Sequence, residues 1–177
     1  TYPAGSGSRP LYVDIGDFNQ DSILDIAIVN YGTNEISLHF GLGDATFLQG
    51  GLYSTGSGSQ PNTLAVGDFN RDGRLDIVVA NPGSDTIGDY SLPSAVAIAD
   101  LNNDNMLDIA IANAGTNTIL LLYGKGDGTF GDEELYPLGY NYRPYSVAVT
   151  DLNHDGFMDI IIACYGTDDV EILLKIC

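Results

Sequence analysis

The sequence predicts an all-β fold, a β-propeller-like array of four four-stranded antiparallel blades with a truncated second blade. Three observations carry this prediction: a nine-residue aspartate phrase occurs four times, short β-branched segments flank each phrase, and no segment sustains a helical period. The phrases begin at Asp17, Asp68, Asp100 and Asp151, which places successive copies 51, 32 and 51 residues apart. The chain is therefore a tandem array of similar units.

Each unit contains strand-forming segments in the same order. Short β-branched runs bounded by Gly and Asn are typical of buried strands. Runs of this kind lead into the phrases at 64–67, 96–99 and 147–150, and follow them at 26–29, 77–80, 109–112 and 160–163. Third segments alternate in polarity at 36–40, 119–123 and 170–174, and glycine-rich turns follow at 41–47 and 124–130. Four short antiparallel strands per unit are typical of a propeller blade.

The chain is predicted to be a single repeat domain, residues 1–177. Its predicted parts are a strand at 1–10 that completes the last blade, blade 1 at 11–61, a short blade 2 at 62–93, blade 3 at 94–144 and blade 4 at 145–177. The second unit lacks a segment equivalent to residues 37–55 of the first unit. Either blade 2 lacks part of its outer half, or residues are missing between Ile87 and Gly88; the exposed strand edge left by a true loss favours the second reading. The sequence leaves open whether the blades close within one chain or across chains.

Composition excludes several classes of function. The chain has 24 acidic and 6 basic residues and a formal charge of −18, so a nucleic acid would meet net repulsion. No apolar run approaches the ~20 residues of a membrane helix, so no membrane insertion is expected. An apolar content of 44% argues against wholesale disorder. Twelve of the 24 acidic residues lie in the four phrases, which indicates that these aspartates have a specific function there.

The phrases predict a metal site in each unit. Positions one, three, five and nine are always Asp, Asn, Asp and Asp, whereas position seven holds four unrelated side chains and can contribute its carbonyl. This is the first part of the EF-hand scheme, with the position-nine Asp closing the loop in place of the absent Glu at position twelve. Ca²⁺ is favoured over Mg²⁺, which prefers a smaller octahedral shell with several waters. The alternative is a metal-free Asx turn.

The predicted ligands form four equivalent sets, for up to four Ca²⁺ ions. They are Asp17, Asn19, Asp21, Ile23 and Asp25; Asp68, Asn70, Asp72, Arg74 and Asp76; Asp100, Asn102, Asp104, Met106 and Asp108; and Asp151, Asn153, Asp155, Phe157 and Asp159. Position six is small or tolerant of a left-handed backbone, as a sharp turn needs. Position four varies as a solvent-facing residue would.

With its Asp-x-Asn-x-Asp-x-x-x-Asp phrase, the strand after it and turns such as residues 40–47, the unit resembles the FG-GAP or VCBS repeat. This is the calcium-loop blade of integrin α-subunit propellers and of many secreted repeat proteins. The resemblance covers nearly the whole chain and implies Ca²⁺ at the four phrases. It departs from the family in having four blades where seven are common, and in Cys164, which stands where other units have Asn30, Asn81 and Asn113.

Few other residues suggest chemistry, and no catalytic residue or organic cofactor is predicted. His154 lies at the variable position four, and His39 is placed on the outward face of an alternating strand. The tyrosines of 136–145 fit either a sugar- or protein-binding surface or an ordinary outer strand and loop. Pairing of Cys164 with Cys177 stays open, as does O-glycosylation at 54–59, and no Asn-x-Ser/Thr site exists.

Three functions fit the sequence, and the first is favoured. It is an extracellular, calcium-stabilised adhesion, ligand-binding or scaffolding module without enzymatic activity, whose protein or carbohydrate ligand the sequence does not identify. The second is a structural subunit that forms a homo-oligomer or a filament through strand complementation. The third is a non-catalytic domain of a larger secreted enzyme.

Overall fold

A computed structural model describes residues 1–84 and 90–175. It confirms an all-β fold of antiparallel sheets. The first sheet, blade 1, contains β1 (Pro10–Gly16), β2 (Asp25–Asn30), β3 (Glu35–Gly41) and β4 (Phe47–Ser54). Blade 2 contains β5 (Thr63–Gly67) and β6 (Asp76–Ala80), and a short 3₁₀ turn follows at Pro82–Ser84.

The last two sheets repeat the same order. Blade 3 contains β7 (Pro93–Ala99), β8 (Asp108–Asn113), β9 (Thr118–Gly124) and β10 (Phe130–Pro137). Blade 4 contains β11 (Pro144–Thr150), β12 (Asp159–Cys164) and β13 (Asp169–Leu173). Of the four predicted four-stranded blades, the first and third therefore have all four strands within the described residues, and the second and fourth have two and three. The predicted break between Ile87 and Gly88 and the state of Cys177 lie outside the described residues.

Equivalent strands pair in equivalent registers. Ile15 lies opposite Ile26 in blade 1, and Val149 lies opposite Ile160 in blade 4. In the first, third and fourth blades the register shifts just after the proline that begins the innermost strand. An irregularity at that point leaves the proline free of a regular ladder position, where it has no N–H to donate.

The first segment of the chain differs from its prediction. Residues 1–9 form no strand, and the sheet of blade 4 consists of β11, β12 and β13. The Tyr2 ring instead packs edge-on against Phe47 of β4, with ring centroids 5.4 Å apart, and its hydroxyl accepts a hydrogen bond from the Phe47 N–H. Residues 1–10 therefore do not complete the last blade in this structure. Contact with their own first blade holds them in place.

The core lies between blades, because each blade buries apolar side chains against its neighbour. Ala27, Val29, Ile36 and Leu38 of blade 1 pack against Leu64 of blade 2. In the same way, one face of blade 3 packs against Val147, Ile160 and Ile162 of blade 4. The period-two alternation of these strands thus places an apolar face of each blade against a neighbouring blade.

The innermost strands of the four blades surround one cavity of about 310 Å³. Its lining includes Tyr12 of β1, Thr63 of β5, Ala95 of β7 and Ser146 of β11. The blades therefore follow one another around a common axis, with their innermost strands next to it. Among the residues that the structure describes, none forms a helix with the length and apolar character needed to cross a membrane.

We expect Ile119→Ala to lower the free energy of unfolding by about 2–5 kcal/mol, because it opens a cavity in the fully buried interface between blades 3 and 4. Leu135→Ala, on a side chain that is 57% exposed in β10, is the control and should change it by no more than about 0.5 kcal/mol. Equilibrium urea unfolding of both variants measures this. Equal losses would show that the blade interface is not the core.

Candidate metal centre

Each aspartate phrase forms the same tight turn between the first two strands of its blade. Its fourth and sixth residues have positive φ in all four copies, for example 63° at Gln20 and 67° at Ser22. This left-handed backbone explains the Gly, Asn and Ser found at position six. At position four the turn imposes it on Gln20 and Arg71, which are less suited to it, and on Asn103 and His154, whose residue types tolerate it.

Side-chain oxygens of positions one, three and five point into the turn. In the first copy, the Asp21 N–H donates to Asp17 Oδ1 at 3.1 Å and to Asn19 Oδ1 at 3.0 Å. The Ser22 N–H donates to Asp17 Oδ2 at 2.8 Å, and the Ile23 N–H donates to Asp21 Oδ1 at 2.8 Å. The other three copies repeat this pattern. The phrase thus brings its predicted ligands at positions one, three and five together.

The position-nine carboxylate has a second role that the sequence did not reveal. Asp25 is fully buried, and it accepts hydrogen bonds from the Phe18 N–H in the loop and from the Gly41 N–H at the end of β3, both at 2.8 Å. Asp108 and Asp159 do the same in blades 3 and 4. This carboxylate therefore fastens the loop to the third strand of its blade.

Burial raises the pKa of the Asp108 carboxyl. Hydrogen bonds from the Gly124 and Leu101 amides lower it, and the negative charges of Asp104 and Asp100 raise it further. The loop thus holds several carboxylates whose charges oppose one another, and a bound cation would relieve that repulsion.

Chemically, the loop residues fit a hard cation. Carboxylate, amide and main-chain oxygens are the ligands that Ca²⁺ prefers. Within the described residues, no group of three or more His, Cys, Asp or Glu side chains is gathered tightly enough to hold a metal ion. Each predicted set mixes three carboxylates with an Asn side chain and a main-chain carbonyl. Calcium binding stays a prediction.

Position four does not simply face the solvent, as the sequence suggested. The Gln20 amide donates to the Gly73 carbonyl of the next blade at 2.7 Å. The Asn103 amide donates to the Gly156 carbonyl, again in the next blade, at 3.0 Å. A residue of one loop therefore bridges to position six of the following loop. Because the acceptor is a main-chain carbonyl, which every residue has, this bridge cannot be recognised from the sequence.

A second bridge between blades was also missed by sequence reasoning. The Asn34 side-chain oxygen accepts from the Gln60 N–H, and that of Asn117 accepts from the Arg143 N–H, both at 2.8 Å. Both Asn residues have positive φ in the turn after the second strand of a blade. The recurring Gly-Thr-Asn turn was the available signal for this bridge.

The remaining candidate residues are separated from the loops or from one another. His39 is buried, which corrects its predicted place on an outward face, and its Nε2 has no hydrogen-bond partner within the described residues. In the tyrosine-rich segment, Tyr136 is partly buried and donates to Glu134, whereas Tyr140 is 97% exposed. Cys164 is a buried free thiol. The tyrosines of this segment thus differ widely in exposure.

The Glu134 carboxylate accepts hydrogen bonds from the hydroxyls of Tyr123 and Tyr136, both at 2.8 Å. These bonds lower the pKa of Glu134. Burial, and then the bond to Glu134, raise the pKa of Tyr123. The cluster lines a cavity of about 190 Å³ between blades 3 and 4 that also includes Lys175. It adds polar contacts to that interface.

We expect Asp108→Asn to lower the free energy of unfolding by about 1–3 kcal/mol in chelator-treated buffer, because an amide cannot accept from both the Leu101 and Gly124 N–H groups. Glu133→Gln is the matched control, since it makes the same charge change at an exposed carboxylate. Urea unfolding midpoints measure the difference. Identical midpoints for the two variants would contradict the clamp.

The repeat geometry agrees with comparison to known proteins. A family model described as an FG-GAP-like repeat matches residues 3–79 and 100–162. A comparison with curated proteins gives no match. The family model covers most of the chain and both halves of the array. The chain belongs to the FG-GAP-like repeat family.

Proposed function

We propose that this chain is a calcium-stabilised, non-enzymatic module for adhesion, ligand binding or scaffolding that works outside the cell. One observation carries the proposal: four loops present the same oxygen donors in the same backbone conformation. Membership of the FG-GAP-like repeat family supports a ligand-binding or scaffolding role in a propeller-like fold.

Asp17, Asn19 and Asp21, with the Ile23 carbonyl and Asp25, would hold the ion in the first loop, and the equivalent residues would hold it in the other three. Bound Ca²⁺ supplies positive charge among carboxylates that otherwise repel one another. Four such ions would add eight positive charges to a chain whose formal charge is −18. The role is structural, since all four loops have the same donors.

The contacts around the loops explain how an ion would stabilise more than its own turn. Asp25 joins its loop to the end of β3, and Gln20 joins the same loop to blade 2. An ion that rigidifies the loop would therefore stabilise both the blade and its contact with the next blade. Such a rigid array offers several loops as a binding surface, which is how scaffold proteins present their ligand sites.

The strand-complementation filament receives no support from the described residues, because residues 1–9 form no strand. The two histidines lie in different blades, since His39 is buried in blade 1 and His154 lies on the exposed loop of blade 4.

We expect Ca²⁺ to raise the melting temperature and a chelator to reverse the rise. At a hundredfold excess over its dissociation constant, each ion should stabilise the folded chain by about 2.7 kcal/mol. For a chain of this length, each kcal/mol of added stability should raise the melting temperature by roughly 2–4 °C. Dissociation constants of about 10⁻⁴–10⁻³ M would suit an extracellular module. An unchanged melting temperature in Ca²⁺, together with no heat in a calorimetric titration with Ca²⁺, would refute the calcium part of the proposal.

We expect Asp104→Ala to reduce the calorimetric stoichiometry from four ions to three, because it removes a donor at position five of one loop. Asp127→Ala is the matched control. Asp127 is an exposed aspartate in a hairpin turn of the same blade, and its carboxylate accepts a hydrogen bond from the Thr129 N–H. This variant should leave the stoichiometry at four. Equal stoichiometries for the two variants would exclude the third loop as a site.

A further inference from the structure

A cavity of about 580 Å³ lies where blades 3 and 4 begin, at the ends of the strands opposite to the aspartate loops. Three segments form it: the residues before β7, the residues before β11, and the turn between β8 and β9. Its lining combines aromatic and polar side chains, including Tyr90, Asn117, Tyr140, Asn141 and Arg143. The cavity therefore has a size typical of small-molecule sites, which occupy roughly 300–1,000 Å³.

Comparison of the repeat units shows that Tyr90 is unusual for its position. It stands ten residues before its aspartate phrase, where the other units have Gly7, Gly58 and Asn141. All four residues have positive φ, which is 78° at Gly7, 74° at Gly58, 66° at Asn141 and 39° at Tyr90. Glycine and asparagine tolerate this backbone, whereas it strains a bulky residue such as tyrosine. Strain of this kind is concentrated at ligand sites, and the turn itself gives no reason for an aromatic ring.

Tyr140 differs from its repeat equivalents in the same direction. It stands eleven residues before its phrase, where blades 1 and 2 have Ser6 and Ser57. Tyr140 is 97% exposed and Tyr90 is 72% exposed. A tyrosine ring supplies a large, rigid contact area with an apolar face and a polar tip. The cavity thus has two exposed rings on which the apolar face of a ligand can stack.

The polar side chains of the cavity retain unused hydrogen-bonding groups. Asn117 Oδ1 accepts from the Arg143 N–H at 2.8 Å, and the Asn141 amide donates to the Gly166 carbonyl at 3.0 Å. Among the described residues, no partner engages the Asn117 amide N–H groups, the Asn141 side-chain oxygen or the Arg143 guanidinium. These groups supply both donors and acceptors to a ligand.

The charge of the cavity differs from that of the chain. The chain has 24 acidic and 6 basic residues, yet none of the described residues that line the cavity is acidic, and one of them is Arg143. A metal ion or an organic cation would find no counter-charge there. The guanidinium can donate to hydroxyl groups or to a carboxylate. An uncharged or weakly acidic ligand is therefore favoured.

Hydrogen bonds hold the three segments together. The Gly115 N–H donates to the Ser91 carbonyl at 2.9 Å, which joins the turn of blade 3 to the segment that contains Tyr90. The Gly166 N–H donates to the Tyr142 carbonyl at 3.0 Å, which joins the segment before β11 to blade 4. The cavity is therefore largely formed before a ligand arrives, and this lowers the entropy cost of binding.

We propose that this cavity binds a saccharide. Tyr90 and Tyr140 stack on the C–H faces of the sugar rings, and the polar side chains hydrogen-bond to hydroxyl groups. Each sugar hydroxyl both donates and accepts, which matches the mixture of groups in the cavity. An extended peptide would instead need an exposed strand edge or an aromatic-lined groove. The inference rests on the ligand-binding part of the proposed function and does not depend on calcium in the loops.

The test is binding of the fluorescently labelled full chain to a glycan microarray that carries neutral and acidic oligosaccharides. The expected result is binding to a subset of these glycans. Neutral glycans among them would show that Arg143 donates to hydroxyl groups, and acidic glycans alone would show that it pairs with a carboxylate. Binding to none of the glycans overturns the proposal. The melting temperature in Ca²⁺ is measured separately, so failure of the calcium part and failure of the saccharide site are distinguishable.

We expect Tyr90→Gly and Tyr140→Ala each to weaken binding of the preferred glycan by about tenfold or more, because each removes a stacking ring. Tyr90→Gly introduces the residue that blades 1 and 2 have, so it suits the backbone of the turn. Tyr165→Ala is the matched control, since Tyr165 is 73% exposed and lies outside the cavity lining. Solution titration with that glycan measures the three affinities.

The control variant should bind as tightly as the unchanged chain. Equal weakening by all three variants, or full binding by both Tyr90→Gly and Tyr140→Ala, overturns the assigned site. Unchanged melting temperatures verify that the variants fold.

Discussion

The fold depends on one recurring interaction, in which a buried aspartate accepts two main-chain N–H groups. In blade 1, Asp25 binds the amides of Phe18 and Gly41, which lie in the loop and at the end of the third strand. A buried carboxylate is costly unless hydrogen bonds replace its water. Both oxygens are satisfied here, so the residue fixes the loop relative to the sheet. This clamp holds the base of the loop in which the side-chain oxygens of Asp17, Asn19 and Asp21 converge.

The clamp also links the loops to the packing between blades. A loop held against its own sheet places position four where it can reach the carbonyl of the following loop, as Gln20 and Asn103 do. The apolar faces below these bridges exclude water from the interface, and Leu64, Ile119 and Ile162, which are among the largest fully buried side chains, lie there. Stability in such an array is approximately a sum of unit and neighbour terms.

Much of the candidate site follows from the sequence, because its constraints are local. The alternation of Asp17, Asn19 and Asp21 with a freely varying position seven indicated which oxygens converge, and the structure brings those three side chains together. The strand positions could also be predicted from the sequence, because β-branched runs between glycine-rich turns are typical of strands. His39 was misplaced because alternation along one strand does not show which side chains the neighbouring strands cover: His39 lies opposite Ile26 of β2 and Gln49 of β4, and it is buried.

The sequence by itself determined the all-β class, the repeat length and the residues of each loop. All of these are specified by short residue patterns that recur from one unit to the next. The tertiary structure alone decided which groups Asp25 binds, that Gln20 bridges two blades, and that residues 1–9 lie on blade 1. The reason is physical: these features depend on contacts between units, where the partner is often a main-chain atom that any sequence supplies.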